Sequence, residues 1–264
     1  MDLLGEKIEQ HGRAVLNFSG GKDSLATLEL CKPYLDKITV LFGDTGDTFP
    51  HVLKFVHETM NKYNVENFVV IRPPEPFHIS MIEDGIPGDI VPSSCTAAGR
   101  YFHREEGIRI RPWFYCCAKN VWNPMLNYAK DNGYTLVIRG QRDSEPAKGV
   151  DNGHQEDGME FYFPLTDWPE EKVFSFIEER GLTLPFHYSE GVIDSLDCMS
   201  CSAPFYAGEE ASIARLKFMR EYYPVQYHET CDKIAHIIAL AEHDLDGLKN
   251  ILEEADDGSE IQQR

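Results

Sequence analysis

Residues 17–24, Asn-Phe-Ser-Gly-Gly-Lys-Asp-Ser, decide the fold of this chain. They follow a short apolar strand at residues 14–16 and precede a helical run at residues 25–31. Glycines between a strand and a helix let backbone N–H groups approach a phosphate, and the helix N-terminus adds partial positive charge at the same place. The octet therefore predicts a phosphate-binding loop with Lys22 as its full charge. It is not a Walker A loop, because Asp23 follows the lysine; the alternative is a glycine turn that only caps a helix.

Around the octet, short apolar segments alternate with helical segments. Strands are predicted over residues 14–18, 37–42, 67–71, 135–139 and 160–163, and helices over residues 24–33, 49–63, 116–132 and 170–180. This alternation predicts an α/β fold with a parallel twisted sheet and helices on both faces. Ligands of such sheets bind beyond the carboxyl ends of the strands, so the octet, Asp44 and Arg142 are expected on one edge.

The remaining segments set the expected domain organisation. Residues 72–115 are rich in Pro, Gly and Arg and indicate a long functional loop with short helices. From Ala211 onward, apolar residues recur at helical spacing, which favours packing rather than a cofactor site. We expect an α/β nucleotide-binding domain that carries the metal site over residues 1–205, and a helical C-terminal extension over residues 206–264.

Charge and composition exclude several classes of function. The 264 residues carry a formal net charge of −19, which argues against broad nucleic-acid affinity. The sequence shows no signal peptide and no apolar run long enough for a membrane span, so a cytoplasmic protein is expected. Acidic residues crowd positions 242–260, where a solvated helix face is the preferred interpretation. Basic residues gather at Arg100, Arg104, Arg109, Arg111 and Lys119, which is compatible with a local basic surface around a nucleotide.

Four segments resemble a known family. The octet resembles the pyrophosphatase (PP) loop of the adenine-nucleotide alpha-hydrolase superfamily. Residues 41–50, Leu-Phe-Gly-Asp-Thr-Gly-Asp-Thr-Phe-Pro, resemble the Asp-Thr-Gly…Phe-Pro segment of the sulfonucleotide reductases, the phosphoadenylyl sulfate (PAPS) reductase family. Residues 140–144, Gly-Gln-Arg-Asp-Ser, resemble their Gly-x-Arg segment, and residues 163–168, Phe-Pro-Leu-Thr-Asp-Trp, resemble their Pro-Leu-x-x-Trp segment. The resemblance extends over residues 13–204.

The resemblance implies a Rossmann-like fold of the adenine-nucleotide alpha-hydrolase type and a site for adenylyl sulfate or PAPS. The residues that it assigns to nucleotide binding are Ser19, Gly20, Gly21, Lys22, Asp23, Ser24, Asp44, Thr45, Gly46, Gly140 and Arg142.

Seven cysteines lie at positions 31, 95, 116, 117, 198, 201 and 231. Adjacent cysteines such as Cys116 and Cys117 are hard to fit around one zinc, whereas four thiolates are the usual complement of a 4Fe-4S cluster. The pair together with Cys198-x-x-Cys201 also resembles the iron–sulfur branch of the family, and a 4Fe-4S cluster on these four residues is predicted. Zinc and unliganded thiols are the alternatives. Cys31 is expected in the core, and the role of Cys95 is open.

In the family, the cluster lies near the nucleotide sulfate and tunes substrate binding electrostatically. Lys119 follows the cysteine pair closely and could link the charges of cluster and substrate. The alternative, given equal weight, is that Lys119 is an ordinary solvent-exposed lysine on a helix.

The family's nucleophile is a cysteine in a Glu-Cys-Gly-Leu-His segment near the C-terminus. This sequence contains no such segment, and the catalytic residue is unknown on this ground. Cys231 is a weak candidate for the nucleophile, with a structural role preferred, because it precedes an amphipathic helix.

Three functions follow from these patterns. The first is a thiol-dependent reductase of adenylyl sulfate or PAPS, with thioredoxin or glutaredoxin as partner. The second is an ATP-dependent sulfurtransferase that thiolates a nucleic acid or a small acceptor, the only reading with a nucleic-acid partner. The third is a non-catalytic nucleotide-binding module. No membrane partner is expected, and a homodimer is compatible with the sequence.

Overall fold

The computed structural model describes residues 2–96, 99, 101, 108–145, 149–203 and 208–257. The helices are α1 (Leu3–His11), α2 (Lys22–Cys31), α3 (Pro50–Lys62), α4 (Phe77–Asp84), α5 (Trp113–Cys117), α6 (Asn123–Asp131), α7 (Glu170–Glu179), α8 (Glu209–Tyr222) and α9 (Pro224–Asp257). The strands are β1 (Ala14–Asn17), β2 (Ile38–Gly43), β3 (Phe68–Ile71), β4 (Ile86–Gly88), β5 (Ile110–Pro112), β6 (Leu136–Ile138), β7 (Gln155–Glu156) and β8 (Met159–Tyr162). Short 3-10 turns occur at Lys32–Tyr34, Ser93–Cys95 and Phe186–Tyr188.

The main sheet has six strands in the order β3-β2-β1-β6-β8-β7. All neighbours are parallel except β7, which pairs antiparallel with β8 at one edge. In register, Ala14 of β1 lies opposite Ile38 on one side and Leu136 on the other. The α/β fold predicted from the alternation of strands and helices is confirmed.

Helices cover both faces of this sheet because its strand residues alternate between two cores. Leu16 of β1 packs with Leu25 of α2 and Val52 of α3 on one face. The preceding residue, Val15, packs with Met125 and Ala129 of α6 on the other. Central strands that are buried on both faces read as continuous apolar runs, which is how they are recognised in the sequence.

The strand order fixes the position of the ligand site. From β1 the chain moves outward through β2 and β3, and then crosses to the other side of β1 with β6 and β8. The direction of winding therefore reverses between β1 and β6, and a crevice forms beyond the carboxyl ends of these two strands. The octet follows β1, and Gly140 follows β6, at this crevice.

The structure adds elements that the sequence patterns did not predict. Helix α1 is tied to the sheet by Lys7 and His11, which contact the Glu160 carboxylate at 2.6 and 3.0 Å. The segment expected as a long loop, residues 72–115, contains α4 and a second, two-stranded parallel sheet of β4 and β5.

The predicted helix over residues 116–132 begins earlier than expected and is not regular. It starts at Trp113, and a π-helical turn over Ala118–Trp122 interrupts it between α5 and α6. Such turns are frequent at functional sites, because they re-aim the side chains of one turn. Here the turn lies between the cysteine pair and α6.

The helical reading from Ala211 onward is confirmed by α8 and the 34-residue α9. Ile237 of α9 is buried with Ile86 and Ile110 of the small sheet. Beyond Asp244 the helix is exposed on all sides where its side chains are described. No helix in the described part of the chain combines the length and the apolar character that a membrane crossing requires.

Candidate functional site

A cavity of about 430 Å³ opens at the crevice between β1 and β6. Its wall is formed by the octet, by the ends of β2 and β6, by the segment around the π-helical turn, and by residues just before the Cys-x-x-Cys pair. The lining residues that matter below are Asn17, Ser19, Lys22, Asp23, Ser24, Phe42, Gly43, Thr45, Thr48, Trp113, Val121, Trp122, Met125, Arg139, Gly140, Arg142, Glu145, Asp194 and Cys198. One cavity thus joins the octet to one of the four candidate metal-ligating cysteines.

The backbone of the octet is held in an open turn by its own serines. Gly20 has φ +85°, a left-handed conformation that favours glycine. Its N–H donates to Ser24 Oγ at 3.1 Å, and the Ser24 hydroxyl donates to the Gly21 carbonyl at 2.9 Å. The N–H of Lys22 donates to the Tyr188 hydroxyl at 2.9 Å. The first turn of α2 therefore already has the shape of an anion site. Its N–H groups donate to side-chain oxygens, which the oxygens of a bound anion can replace.

Lys22 lies almost out of solvent, with a relative exposure of 3%. Its ammonium contacts Asp23 at 3.2 Å and Glu170 at 3.0 Å and donates to the Ile193 carbonyl at 3.2 Å. Burial lowers the pKa of Lys22, but the Asp23 and Glu170 carboxylates outweigh it, and the net pKa is raised. A permanent cation therefore sits in the wall of the cavity.

Arg142 supplies the second buried cation. Its Nε donates to Asp23 Oδ1 at 2.7 Å, and its Nη1 donates to Ser144 Oγ at 2.9 Å. Burial raises the pKa of two nearby carboxyls, Glu145 and Asp194.

Two buried polar atoms of the cavity wall have no hydrogen-bond partner among the described residues: Asn17 Oδ1 and Arg139 Nε. Buried polar groups without partners are rare in folded proteins. Asn17 ends β1 and Arg139 follows β6, so both lie at the crevice. They offer one acceptor and one donor to a bound ligand.

The opposite side of the cavity is apolar and aromatic. Trp113 and Trp122 meet edge to face with ring centroids 6.2 Å apart. Gly43 has no side chain at a crowded position: a Cβ atom there would lie 3.0 Å from Met125 Sδ and 3.2 Å from Val121 Cγ1. This side suits a flat, uncharged ring system.

The predicted nucleotide-binding residues divide into three groups. Ser19, Lys22, Asp23, Ser24, Thr45, Gly140 and Arg142 line the cavity. Gly20 and Gly21 form the turn behind it. Asp44 and Gly46 lie outside the wall: the Asp44 carboxylate accepts from Gly46 N–H at 2.9 Å and from Arg72 at 3.2 Å. The roles of these residues in binding stay predictions.

The four predicted cluster ligands come together in space although they lie far apart in the sequence. Cys201 interacts electrostatically with Cys116, Cys117 and Cys198. Burial raises the pKa of Cys116 to about 11 and raises the pKa of Cys117 and Cys198 as well. In the absence of a cation, burial therefore favours the thiol form of these three cysteines over the thiolate form that a metal needs.

The surroundings of Cys116 also fit a thiolate. Arg111 Nη2 and Asn120 Nδ2 donate to Cys116 Sγ at 3.2 and 3.7 Å. Arg111 Nε and Asn120 Oδ1 are buried without partners in the described part of the chain. Within the described residues, no three His, Cys, Asp or Glu side chains are arranged to hold a single metal ion. The choice between a 4Fe-4S cluster, zinc and unliganded thiols stays a prediction from the sequence.

Lys119 shares the Asp84 carboxylate with Arg111, which donates to Cys116 Sγ, and its expected link to the substrate stays a prediction. Its ammonium contacts Asp84 at 2.6 Å and Glu75 at 3.2 Å and does not line the cavity. Arg111 takes the position beside the cysteines. Arg100 and Arg104 lie outside the described residues.

The other three cysteines lie away from the cavity. Cys31 is fully buried in the main core and Cys95 packs with Ile237 below α9. Cys231 lies within α9, where it interacts with Tyr227. No cysteine apart from Cys198 lines the cavity in the described part of the chain.

Sequence patterns placed Arg111 only in a general basic surface, and they gave no site role to several other residues: Asp47, Trp113, Trp122, Glu170, Tyr188, Asp194 and Ser200. Their partners lie far away in the sequence; Tyr188, for example, is 166 positions from Lys22. Asp47 and Ser200 carried a local signal because they lie inside motifs that the sequence had singled out, and Trp113 carried one because it lies close to the cysteine pair.

Comparison with known proteins places this site in context. The family model of the phosphoadenosine phosphosulfate reductase domain matches residues 13–204. An uncharacterised protein of Methanocaldococcus jannaschii is 25% identical over 82% of this chain; the chain spans 46% of that protein's length. The adenosine 5′-phosphosulfate reductase of Deinococcus radiodurans is 24% identical over 81% of this chain and 76% of its own.

Among solved structures, the phosphate complex of a PAPS reductase from Candida auris has a similar fold. The TM-score is 0.53 at 16% identity, over 74% of this chain and 85% of that one.

Proposed function

We propose that this chain, which belongs to the phosphoadenosine phosphosulfate reductase domain family, binds adenylyl sulfate or PAPS. It then supports the thiol-dependent reduction of the bound sulfonucleotide to sulfite. The observation that carries the proposal is the single cavity whose wall holds both Lys22 and Cys198. The adenosine 5′-phosphosulfate reductase among its relatives supports the choice of substrate class.

In this proposal the charged part of the nucleotide lies on the octet. Lys22, Arg142 and the N-terminus of α2 supply positive charge, and Ser19 and Ser24 supply hydroxyls. The adenine lies against the aromatic side of the cavity, between Trp122 and the β2 end at Gly43. Asn17 Oδ1 and Arg139 Nε then gain the partners that they lack in the described residues.

The four cysteines 116, 117, 198 and 201 would hold a 4Fe-4S cluster, which supplies a compact charge beside the substrate. Arg111 and Asn120 hold Cys116 Sγ by N–H···S contacts, which favours the thiolate form. Thr45 Oγ1 lies 3.5 Å from Cys198 Sγ and does the same at the cavity wall. Reduced cysteines of this kind agree with a cytoplasmic setting.

The reaction needs two thiols. A thiolate attacks the sulfur of the sulfonate, the bond from sulfur to the phosphate oxygen breaks, and the nucleotide leaves as AMP or as its 3′-phosphate. A second thiolate attacks the resulting thiosulfonate, releases sulfite and forms a disulfide, and two protons are released. Since no cysteine outside the predicted cluster lines the cavity in the described residues, a dithiol partner of the thioredoxin or glutaredoxin class supplies both thiols.

The same observation favours a second candidate, ATP-dependent sulfur transfer. Here an oxygen of the acceptor, a nucleic acid or a small molecule, attacks the α-phosphate of ATP, and pyrophosphate leaves. A sulfide donor then displaces AMP from the adenylated acceptor. The first step needs no protein thiol, only a loop that grips phosphates, which the octet provides.

Anaerobically purified protein distinguishes the two. It is incubated separately with adenylyl sulfate, PAPS and ATP, each with and without a reduced dithiol partner, and ATP is also tested with sulfide, with and without a nucleic-acid or small-molecule acceptor. Dithiol-dependent release of sulfite and AMP, or of adenosine 3′,5′-bisphosphate from PAPS, supports the reductase. Acceptor-dependent release of AMP and pyrophosphate from ATP supports sulfur transfer, and no turnover with any of the three contradicts both.

The cluster is tested on the same preparation. About four irons per chain and a brown colour are expected for a cubane cluster. Cys201→Ser removes the cysteine that interacts with the other three and should abolish both the bound iron and the brown colour. Cys31→Ser changes a buried cysteine of the main core and should keep the iron. One zinc per chain in colourless protein would contradict the cluster.

A further inference from the structure

The segment that follows β2 is joined to the Cys-x-x-Cys loop through Asp47. Its carboxylate accepts two hydrogen bonds from Ser200, at 2.8 Å from the backbone N–H and at 2.9 Å from the hydroxyl. The Asp47 carbonyl accepts from Met199 N–H at 2.8 Å. A bridge between Thr48 and Cys198 extends the pairing by one more residue. Both residues between the two cysteines are thus fixed to Asp47.

The C-terminal helices hold the same loop from the other side. Arg215 of α8 donates to the Cys198 carbonyl at 2.8 Å, and Lys233 of α9 donates to the Ser200 carbonyl at 3.3 Å. These contacts reach carbonyl oxygens only. Asp47 accepts from the N–H groups of Met199 and Ser200 and from the Ser200 hydroxyl, so the register of the loop relative to β2 depends on it.

Both ends of this connection reach the cavity. Thr45 and Thr48 line it from the β2 side, and Cys198 lines it from the loop side. Asp47 lies between the two threonines in sequence and outside the wall. A ligand that orders residues 45–48 therefore also fixes the loop that carries Cys198 and Cys201, and a cluster on the cysteines fixes the segment that faces the ligand.

We propose that Asp47 is a positioning residue that couples nucleotide binding to cluster binding, by holding residues 199 and 200 in register with the β2 end. This inference rests on the proposed function. Coupling of this kind is reciprocal: the cluster strengthens nucleotide binding by the same factor by which the nucleotide strengthens retention of the cluster. A factor of about 10 is expected, within the usual range for coupled sites.

The test measures both sides of the coupling without turnover. Dissociation constants for adenylyl sulfate and for ATP are measured by calorimetry on cluster-free and on cluster-loaded protein, in the absence of dithiol. The equilibrium of iron with a chelator is then followed with and without each nucleotide. For the nucleotide that binds, the wild type should show a ratio of about 10 between the dissociation constants of cluster-free and cluster-loaded protein. The same ratio is expected between the iron–chelator equilibria with and without that nucleotide.

In Asp47→Ala, cluster-free protein should bind the nucleotide as the wild type does, and both ratios should fall to about 1. Ser200→Ala keeps the backbone hydrogen bond and should lose only part of the coupling. Asp131→Ala, an exposed aspartate at the end of α6, is the matched control and should keep the full factor. Asp47→Asn keeps the side-chain volume and carries the test if the alanine variant does not fold.

The outcomes separate this inference from the proposed function. Iron and nucleotide binding in the wild type, with the full factor retained in Asp47→Ala or Asp47→Asn, overturns the inference alone. Equal nucleotide affinity of cluster-free and cluster-loaded wild type overturns it as well. Wild-type protein that binds neither iron nor nucleotide defeats the proposed function, and the inference with it.

Discussion

Lys22 keeps its positive charge although its side chain is almost completely buried. Two carboxylates within 3.2 Å compensate the ammonium, and an incoming anion must compete with them. Lys22→Met removes the charge and keeps much of the stem. We expect nucleotide binding to weaken by about 1.5–3 kcal/mol, the usual range for hydrogen bonds to charged groups. Titration calorimetry measures this, with exposed Lys54→Met as control; equal affinity of the Lys22 variant would show that the octet does not hold the anion.

A buried histidine pair makes the stability of the fold depend on pH. His51 Nε2 and His187 Nδ1 are 2.8 Å apart, and His51 Nδ1 meets the Tyr223 hydroxyl at 2.8 Å. Burial lowers the pKa of His51 to about 4; burial, and then the neighbouring His51, lower the pKa of His187 to about 3. With pKa values this far below 7, both rings are uncharged at neutral pH.

The sign of the pH effect follows from these lowered values. In the unfolded chain each histidine binds a proton near pH 6.5, whereas in the folded protein it does so only at about pH 4 or below. Because the unfolded state binds more protons between these two values, the free energy of unfolding falls as the pH drops through this window. Between pH 7 and pH 5 a loss of about 1 kcal/mol per histidine is expected, discounted for partial exposure. Urea unfolding at the two pH values measures it. His51→Gln should reduce the loss and exposed His243→Gln should not; an unchanged pH dependence in His51→Gln would contradict the assignment.

Local sequence predicts a residue only where its partners are close in the chain. Lys22 was found because the octet contains the turn, the charge and the hydroxyl in consecutive positions. The coupling of Asp47 to Ser200 spans 153 positions, and nothing near either residue announces the other. The same holds for Arg111, which stood out only as one of several arginines in an irregular segment.

At the scale of elements, the site depends on how closely the end of β6 approaches the start of α2. A Cβ atom on Gly140 would lie 2.6 Å from the carbonyl carbon and oxygen of Asp23 and 2.9 Å from the nitrogen of Ser24. All three are backbone atoms, which cannot give way as a side chain would. Gly140→Ala must therefore push the two elements apart.

Overpacking of this kind costs about 1–3 kcal/mol. We expect Gly140→Ala to lower the free energy of unfolding by that amount and to weaken nucleotide binding, because Arg142 moves away from Asp23. Gly149→Ala meets nothing within 4 Å and is the matched control. Denaturant unfolding and calorimetry on both variants provide the measurement, and wild-type stability and affinity in Gly140→Ala would argue against the close approach.

Helix α9 decides what Cys231 can do. The residue is part of a continuous 34-residue helix, and the cavity wall does not include it. To reach the cavity it would have to break backbone hydrogen bonds on both sides. We expect Cys231→Ser to leave nucleotide binding and any turnover intact, as measured by calorimetry and by product release. Loss of turnover, together with an S-sulfonated peptide containing Cys231 from the wild type, would establish it as the nucleophile instead.

The central strands were predictable because they are short continuous apolar runs, and the main helices because apolar residues recur in them at helical spacing. The π-helical turn at Ala118–Trp122 was not, since it changes the hydrogen bonding and not the residue pattern. The pairing of β4 with β5 was hidden for another reason: each strand has only three residues, and two of the six residues in the pair are prolines, which normally argue against a strand.

At the scale of the whole molecule, an acidic protein must admit an anionic ligand. The chain has 44 acidic and 25 Lys or Arg residues, and Lys22 and Arg142 of the cavity are already paired with carboxylates. At a distance the approaching nucleotide therefore meets a net repulsive field, and only within contact range does it meet Lys22, Arg139 and Arg142. Salt screens the distant field far more than the buried contacts.

We therefore expect the association rate constant of the nucleotide to rise between about 0.01 M and 0.1 M salt, as the screening length falls from about 30 to about 10 Å. Stopped-flow tryptophan fluorescence can follow binding, since Trp113 and Trp122 line the cavity. Uncharged adenosine, measured in the same way, should show no such rise. A rate constant that falls with salt would mean that a local basic surface, of the kind expected from residues 100–119, governs the approach of the nucleotide despite the acidic total.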